Sequence, residues 1–367
     1  MYNRLMDKLS TDQRLQLIKQ VGEEIVTEEE LSKLLESDEE LVAYDGFEPS
    51  GQIHIAQGIL RAINVNKMTQ AGFKFKMYVA DWFAYLNNKM GGDMEKIQRT
   101  GEYFIEVWKA AGMSLENVEF VWASDLVKTP GYWELVMRIA RTTTLNRILR
   151  TTQIMGRSDK DELSASQIIY PCMQAADIFT LGTKVTQLGT DQRKVNMLAR
   201  QIGEELGFWK PVVVSHHMLM GLGQPVTTEG MEAADRAVAL KMSKSIPDSS
   251  IFMTDTTEDV QRKIAKAWCP EGVITENPVL EYCKYIIFEK FPEMVIERPE
   301  KFGGNVTYAS YADMEKDFAD KKLFPLDLKN AVAEYIDRLL EPVRKHFAED
   351  ENARQLLADV QSYQVTR

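Results

Sequence analysis

Cysteine and histidine are scarce in this chain, with three and four copies in 367 residues. Cys172, Cys269 and Cys283 stand far apart and form no Cys-x-x-Cys or Cys/His pattern, which points to neither a disulfide framework nor a zinc site and fits a reducing compartment. Long apolar runs are missing too. The amino-terminal MYNRLMDKLSTDQRLQLIK is too charged for the apolar centre of a signal peptide, so the expectation is a cytoplasmic protein with no membrane partner. Positive charge is in deficit: 44 Lys and Arg face 55 Asp and Glu, a formal net charge of −11. Such a balance opposes sequence-blind coating of a polyanion, so any nucleic acid must be gripped locally. There is no Pro/Gly-rich tract, low-complexity segment or internal repeat.

What is present is a globular composition, 44% hydrophobic and 27% charged, in a chain long enough for two domains. Leu15, Ile18, Val21 and Ile25 recur at helical spacing and, with the acidic VTEEELSKLLESDEEL, predict a helical N-terminal arm. Five strand-like runs follow, LVAYDGF, FKFKMYVAD, NVEFVWAS, TKVTQLG and KPVVVSHHM, separated by stretches long enough for helices. That alternation predicts an α/β, Rossmann-like, doubly wound parallel sheet. Thr256 and Asp259 resemble a helix start, and Val332, Tyr335, Ile336, Leu339, Leu340 and Val343 form an amphipathic stripe. The reading is therefore a catalytic domain with its arm over 1–255 and a mainly helical domain over 256–367.

Four segments carry candidate chemistry. In GFEPSGQIHIAQG, His54 opens an expected helix whose inward stripe is Ile55, Ile59, Ala62 and Ile63, with Gln57 on the face of His54. Unpaired N–H groups at a helix start suit an anion, phosphate above all. In LKMSKSIPDSS, Lys241 and Lys244 flank small hydroxyl residues and could neutralise a leaving polyphosphate; a plain lysine-serine surface loop would look the same. In IIYPCMQAADIFTLG, Pro171 suits a first helical turn, and Gln174 and Asp177 share a face that predicts a polar pocket. In LGTDQRKVNMLARQIG, a Thr190 cap precedes a helix with Asp191, Gln192 and Arg193 in its first turn and Val195, Leu198, Ala199 and Ile202 inward. Each strand-turn-helix junction belongs at the carboxyl edge of a doubly wound sheet, where ligands collect.

HIAQ and KMSKS resemble the two signatures of class I aminoacyl-tRNA synthetases. YDGFEPSG, YPCMQAADI, GTDQRK, RPEKFGGNVTY and FPLDLKNAV resemble tyrosyl-tRNA synthetases of the archaeal and eukaryotic type. The resemblance implies tyrosine activation with ATP and Mg²⁺, then transfer to tRNA(Tyr), by a homodimer with no tightly bound cofactor or metal. It implies that Tyr44 and Asp177 meet the substrate phenol, and that Tyr170, Gln174 and Gln192 hold its amino group. His54, Gln57, Gly189, Asp191, Lys241, Met242, Ser243, Lys244 and Ser245 would surround ATP, with His54, Lys241 and Lys244 catalytic. Phe302, Phe324 and Asp327 would read the anticodon. Ala56 and Gln57 depart from the glycine and second histidine of the HIGH prototype, and the stretch from Gly223 to Ala239 is long. A tryptophanyl enzyme and a catalytically silent RNA-binding paralogue are the alternatives.

Overall fold

The structure is a computed structural model, and it describes residues 9–155, 162–226, 231, 233–243 and 246–363. The chain opens with α1 (Thr11–Lys19), β1 (Gly22–Val26) and α2 (Glu28–Glu36). Both helices begin in reciprocal capping boxes, Ser10 with Gln13 and Thr27 with Glu30, which satisfy N–H groups that a helix start leaves open. The arm is thus not all helical. Gly22–Val26 is extended and pairs antiparallel with β6 (Val212–His216), with Ile25 opposite Val214.

The remaining strands are β2 (Val42–Phe47), β3 (Lys74–Val79), β4 (Val118–Trp122) and β5 (Val185–Thr186). All five expected runs form strands, in the order β1-β6-β5-β2-β3-β4. The neighbours from β6 to β4 are parallel, and only the edge strand β1 runs the other way. From β2 the chain first builds outward through β3 and β4, then returns to lay β5 and β6 on the opposite side. This reversal opens a crevice at the carboxyl ends of β2 and β5.

The crossovers are helical: α3 (Ile59–Gln70), α4 (Asp81–Leu86) with α5 (Met94–Ala110), then α6 (Ala123–Leu126), α7 (Tyr132–Thr142), α8 (Leu145–Thr151) and α9 (Ala165–Thr180), and finally α10 (Arg193–Ile202). One core layer joins Ile59, Ala62, Phe75, Met77, Phe104 and Trp108. The other joins Tyr44, Tyr78, Met173, Ala176, Val195 and Leu198. Each fully buried large apolar side chain contributes roughly 1.5–3 kcal/mol. Helix α9 starts at Ala165, capped by Ser164 and Gln167, so Pro171 lies inside it rather than in its first turn. Proline there removes one backbone hydrogen bond, a loss offset by burial of Tyr170, Cys172, Met173 and Ala175 around it.

After α11 (Ala233–Leu240) come α12 (Thr257–Lys266), α13 (Pro278–Tyr282), α14 (Phe288–Lys290), α15 (Tyr311–Ala319), α16 (Pro325–Glu349) and α17 (Glu351–Ser362). Thr256 caps α12 by accepting from the Asp259 amide. Val332, Tyr335, Ile336, Leu340 and Val343 of α16 are buried as the stripe predicts. The sequence reading missed one element here, the antiparallel pair β7 (Met294–Ile296) and β8 (Val306–Tyr308). The core of these helices is continuous with the α3 side of the sheet.

Candidate active site

The HIAQ segment departs from expectation in its backbone. Residues 53–55 pair with 251–253, through Ile55 N to Ile251 O and Met253 N to Ile53 O, both 2.9 Å, and His54 bridges Phe252. The amides of Gln57 and Gly58 then both donate to His54 O at 2.9 Å, a turn that delays α3 to Ile59. His54 therefore precedes the helix instead of opening it. Glycine at 58 has a steric cause: a Cβ there would lie 2.3 Å from Met253 Sδ.

Helix α9 turns Tyr170, Gln174 and Asp177 toward the same crevice. Asp177 is fully buried, and the Tyr132 hydroxyl donates to its Oδ1 at 2.7 Å. Its Oδ2 and the hydroxyls of Tyr44 and Tyr78 are buried with no hydrogen bond of good geometry, although Tyr78 neighbours Asp177 and Gln174 neighbours Tyr44. Burial pushes the Asp177 carboxyl up to about 8, and burial together with the Asp177 charge raises the Tyr44 phenol. A buried acceptor and a buried hydroxyl left open together are expensive, and a ligand hydroxyl satisfies both. The Tyr170 hydroxyl donates to Glu48 Oε1 at 2.7 Å, and Asn87 Nδ2 donates to both oxygens of Glu48 at 3.1 and 3.2 Å. Gln174 Nε2 donates to Gln192 Oε1 at 3.1 Å, and Gln192 Nε2 donates to Ile154 O at 3.1 Å.

Beyond β5, Gly189 bridges His216, and Thr190–Gln192 form a tight turn before α10. Thr190 makes no cap and Asp191 and Gln192 precede the α-helix, because Gly189 is the extended residue at its entry. Lys241 Nζ donates to Asp191 Oδ2 at 2.8 Å. Lys241 also bridges Met220, Met242 is buried, and Ser250 Oγ donates to Ser243 O at 2.8 Å. Lys244 and Ser245 lie outside the described residues.

One cavity of ≈ 660 Å³ gathers Tyr44, His54, Gln57, Tyr170, Gln174, Asp177, Gly189, Asp191, Gln192, Lys241, Met242 and Ser243. Phe324 and Asp327 do not line it. Phe302 ends a single turn at Glu300–Phe302, Phe324 is the exposed cap of α16, and Asp327 is in that helix's first turn. Arg298 ties the two places together, donating to Gly304 O at 3.0 Å and Lys322 O at 3.2 Å.

The sequence reading missed several cavity residues: Glu48, Tyr78 and Lys89, and the buried group Asp45, Arg61 and His216. Arg61 Nη1 donates to Asp45 Oδ2 at 2.9 Å, and burial pushes Asp45 up to about 6 despite that cation. His216 was detectable in principle as the last residue of a strand at the ligand edge. Next to it, Glu23 and Glu281 flank His217 at 3.3 and 3.1 Å and raise its imidazole to about 9 although burial opposes the charge. Among the described residues no group of three or more His, Cys, Asp or Glu is placed to hold a metal ion.

An α/β sheet whose switch-point crevice is closed by HIAQ on one side and the start of KMSKS on the other defines a nucleotide-dependent ligase of the class I type. The profile of the class I tRNA synthetases for tryptophan and tyrosine matches residues 36–341, and the chain belongs to that family. Within it, the chain stands with the tyrosyl-tRNA synthetases. It is 52% identical over 359 residues to cytoplasmic tyrosine–tRNA ligase 1 of Arabidopsis thaliana, covering 97% of this chain and 90% of that one. A solved tyrosyl-tRNA synthetase of Pyrococcus horikoshii with L-tyrosine matches with a TM-score of 0.89 at 37% identity, over 95% of this chain and 100% of that one. The Leishmania major enzyme with tyrosinol matches with a TM-score of 0.87 at 44% identity; it covers 97% of this chain, which spans only 61% of that longer chain.

Proposed function

We propose that this chain activates L-tyrosine with ATP and transfers the tyrosyl group to the 3′ end of tRNA(Tyr). The carrying observation is the cavity itself, which holds the open Asp177 oxygen and Tyr44 hydroxyl together with His54, Gln57, Asp191 and Lys241. Asp177 and Tyr44 would take the substrate phenol, and Tyr170, Gln174 and Gln192 its ammonium. Phenylalanine would leave both buried groups unpaired, which is the physical basis of discrimination.

The tyrosine carboxylate attacks the α-phosphorus of ATP, and the bond to pyrophosphate breaks with its electron pair leaving on the pyrophosphate oxygen. A terminal ribose hydroxyl of tRNA then attacks the acyl carbon and AMP departs. Neither step needs a protein nucleophile. Holding carboxylate and phosphorus in line and matching cations to the growing charge supply the rate enhancement, tasks that fall to His54, Lys241 and Lys244. Gly189, Met242, Ser243 and Ser245 complete the nucleotide's surroundings, and Mg²⁺ would come with its phosphates.

The division into 1–255 and 256–367 is part of this reading, with Phe302, Phe324 and Asp327 as the anticodon surface; the exposure of Phe324 and Leu326 at the start of α16 supports it. So is a homodimer. Trp133 and Met137 on α7 and Leu145 and Leu149 on α8 are large apolar side chains left exposed, and a second copy is the proposed cover. No helix among the described residues is long and apolar enough to cross a membrane, and the Arabidopsis relative is named cytoplasmic, which supports a cytoplasmic location.

ATP–pyrophosphate exchange scanned over all amino acids tests the reading. Tyrosine-dependent exchange followed by charging of tRNA(Tyr) is expected. Tryptophan-dependent exchange would favour the tryptophanyl alternative, and no exchange with any amino acid would favour a silent paralogue.

A further inference from the structure

The family signatures leave a second set of polar groups in the cavity unexplained. Asp45 lies in β2 near the switch point, Arg61 stands on α3 and His216 closes β6; all three line the cavity, yet none is more than 7% exposed. Arg61 Nη1 lies 2.7 Å from His216 Nδ1, and Gln187 Nε2 lies 2.7 Å from the same atom. A guanidinium can only donate, so Nδ1 must accept and the proton must sit on Nε2. Burial, then the Arg61 and His217 charges, hold the ring neutral against a contact with the Gln187 backbone that favours its proton. His216 is thus fixed in one tautomer, with its donor on the side of the ring away from Arg61.

That donor has an address. A Cβ placed on Gly189 would lie 3.3 Å from His216 Nε2 and 2.6 Å from Asp191 Oδ1, so the imidazole N–H and the Asp191 carboxylate meet at one glycine edge of the cavity. The other Asp191 oxygen is occupied by Lys241. A neutral donor beside a carboxylate acceptor suits a hydroxyl, which accepts from one and donates to the other; a phosphate oxygen has no proton to give Asp191.

We propose that His216 is a further nucleotide-binding residue, which donates from Nε2 to a ribose hydroxyl of ATP at the place where the resemblance to the synthetases already puts Gly189 and Asp191 beside the ribose. Arg61 and Gln187 act through it by holding the tautomer. The inference rests on the tyrosine-activating reading for its nucleotide, but binding of ATP can be measured without turnover.

The test compares wild type, His216→Leu and His216→Gln for equilibrium binding of ATP, 2′-deoxy-ATP and 3′-deoxy-ATP, and for KM of ATP and tyrosine in exchange. His216→Leu should weaken ATP about tenfold or more and leave the tyrosine KM within about twofold. The loss should vanish with one of the two deoxynucleotides, and His216→Gln, which keeps an N–H donor, should stay within about threefold of wild type. Equal losses with all three nucleotides, or unchanged ATP binding, would overturn the assignment. If His216→Leu does not fold, the Nε2–H resonance of His216 in ¹⁵N-labelled wild type decides: it should move on addition of ATP and not with the matching deoxynucleotide. Normal ATP binding effects without amino-acid-dependent exchange would sink the functional reading and leave this assignment standing.

Discussion

Replacing Asp177 by asparagine separates the cost of the site from its use. In the ligand-free fold the carboxyl is fully buried, one oxygen takes the Tyr132 hydroxyl, and the other is open. Burial raises its pKa from 3.8 to about 8, so the folded chain binds a proton that the unfolded chain has lost at neutral pH. For an acid with a raised folded value, stability falls as pH climbs from the unfolded value toward the folded one. Each factor of ten in proton affinity is worth about 1.36 kcal/mol, so the penalty at pH 7 is on the order of 4 kcal/mol. A carboxamide in its place does not titrate. Asp177→Asn should therefore melt at nearly the wild-type temperature near pH 4 and progressively above it toward pH 8. Catalysis should move the other way. A bound phenol that donates to Oδ2 favours the ionised carboxyl, which then accepts on both oxygens, whereas asparagine puts an NH₂ in place of one of them and leaves either the Tyr132 hydroxyl or the phenol facing a donor. One unsatisfied hydroxyl costs about 1–3 kcal/mol, or roughly 5- to 150-fold in kcat/KM for tyrosine in the exchange assay. A variant destabilised at pH 7, or one with unchanged kcat/KM for tyrosine, would refute the reasoning.

Lys241→Ala removes the partner of Asp191, and about a tenfold or greater fall in kcat for adenylate formation with little change in tyrosine KM is expected; a selective tyrosine defect would contradict the role proposed for Lys241. His217 has a raised folded value near 9, so its contribution is full below 6.5 and is lost as pH rises through 9. His217→Gln should therefore be less stable than wild type at pH 6, by at most about 3 kcal/mol, and level with it near pH 10; denaturant midpoints at the two pH values check this. Met137→Glu should break up the proposed homodimer in sedimentation experiments, since it puts a charge on the exposed apolar face of α7.

The strands and the convergence of the site were legible because both follow from local order. Apolar runs such as VVVSH, alternating with helix-length segments, place every strand-turn-helix junction on one edge, and Gln174 with Asp177 announced a polar face on a mostly apolar helix. What escaped depended on partners far along the chain. Ile25 fits the helical spacing of Ile18 and Val21, but GEEIV is extended because β6, almost two hundred residues later, offers it an edge. His54 looks like the start of a helix until residues 251–253 are seen pairing beside it. Pro171 looks like a boundary, and only the packing around α9 shows why the helix runs through it. Asp45, Arg61 and His216 come from three separate elements, so no window of sequence holds their contact.

The edge strand β1 has a practical consequence. It covers the outer rim of β6, the strand that ends in His216, and its removal would expose a row of bare amides and carbonyls to other chains. Shortening the polypeptide past Val26 should accordingly cost solubility as well as ATP affinity, even though none of residues 9–26 lines the cavity.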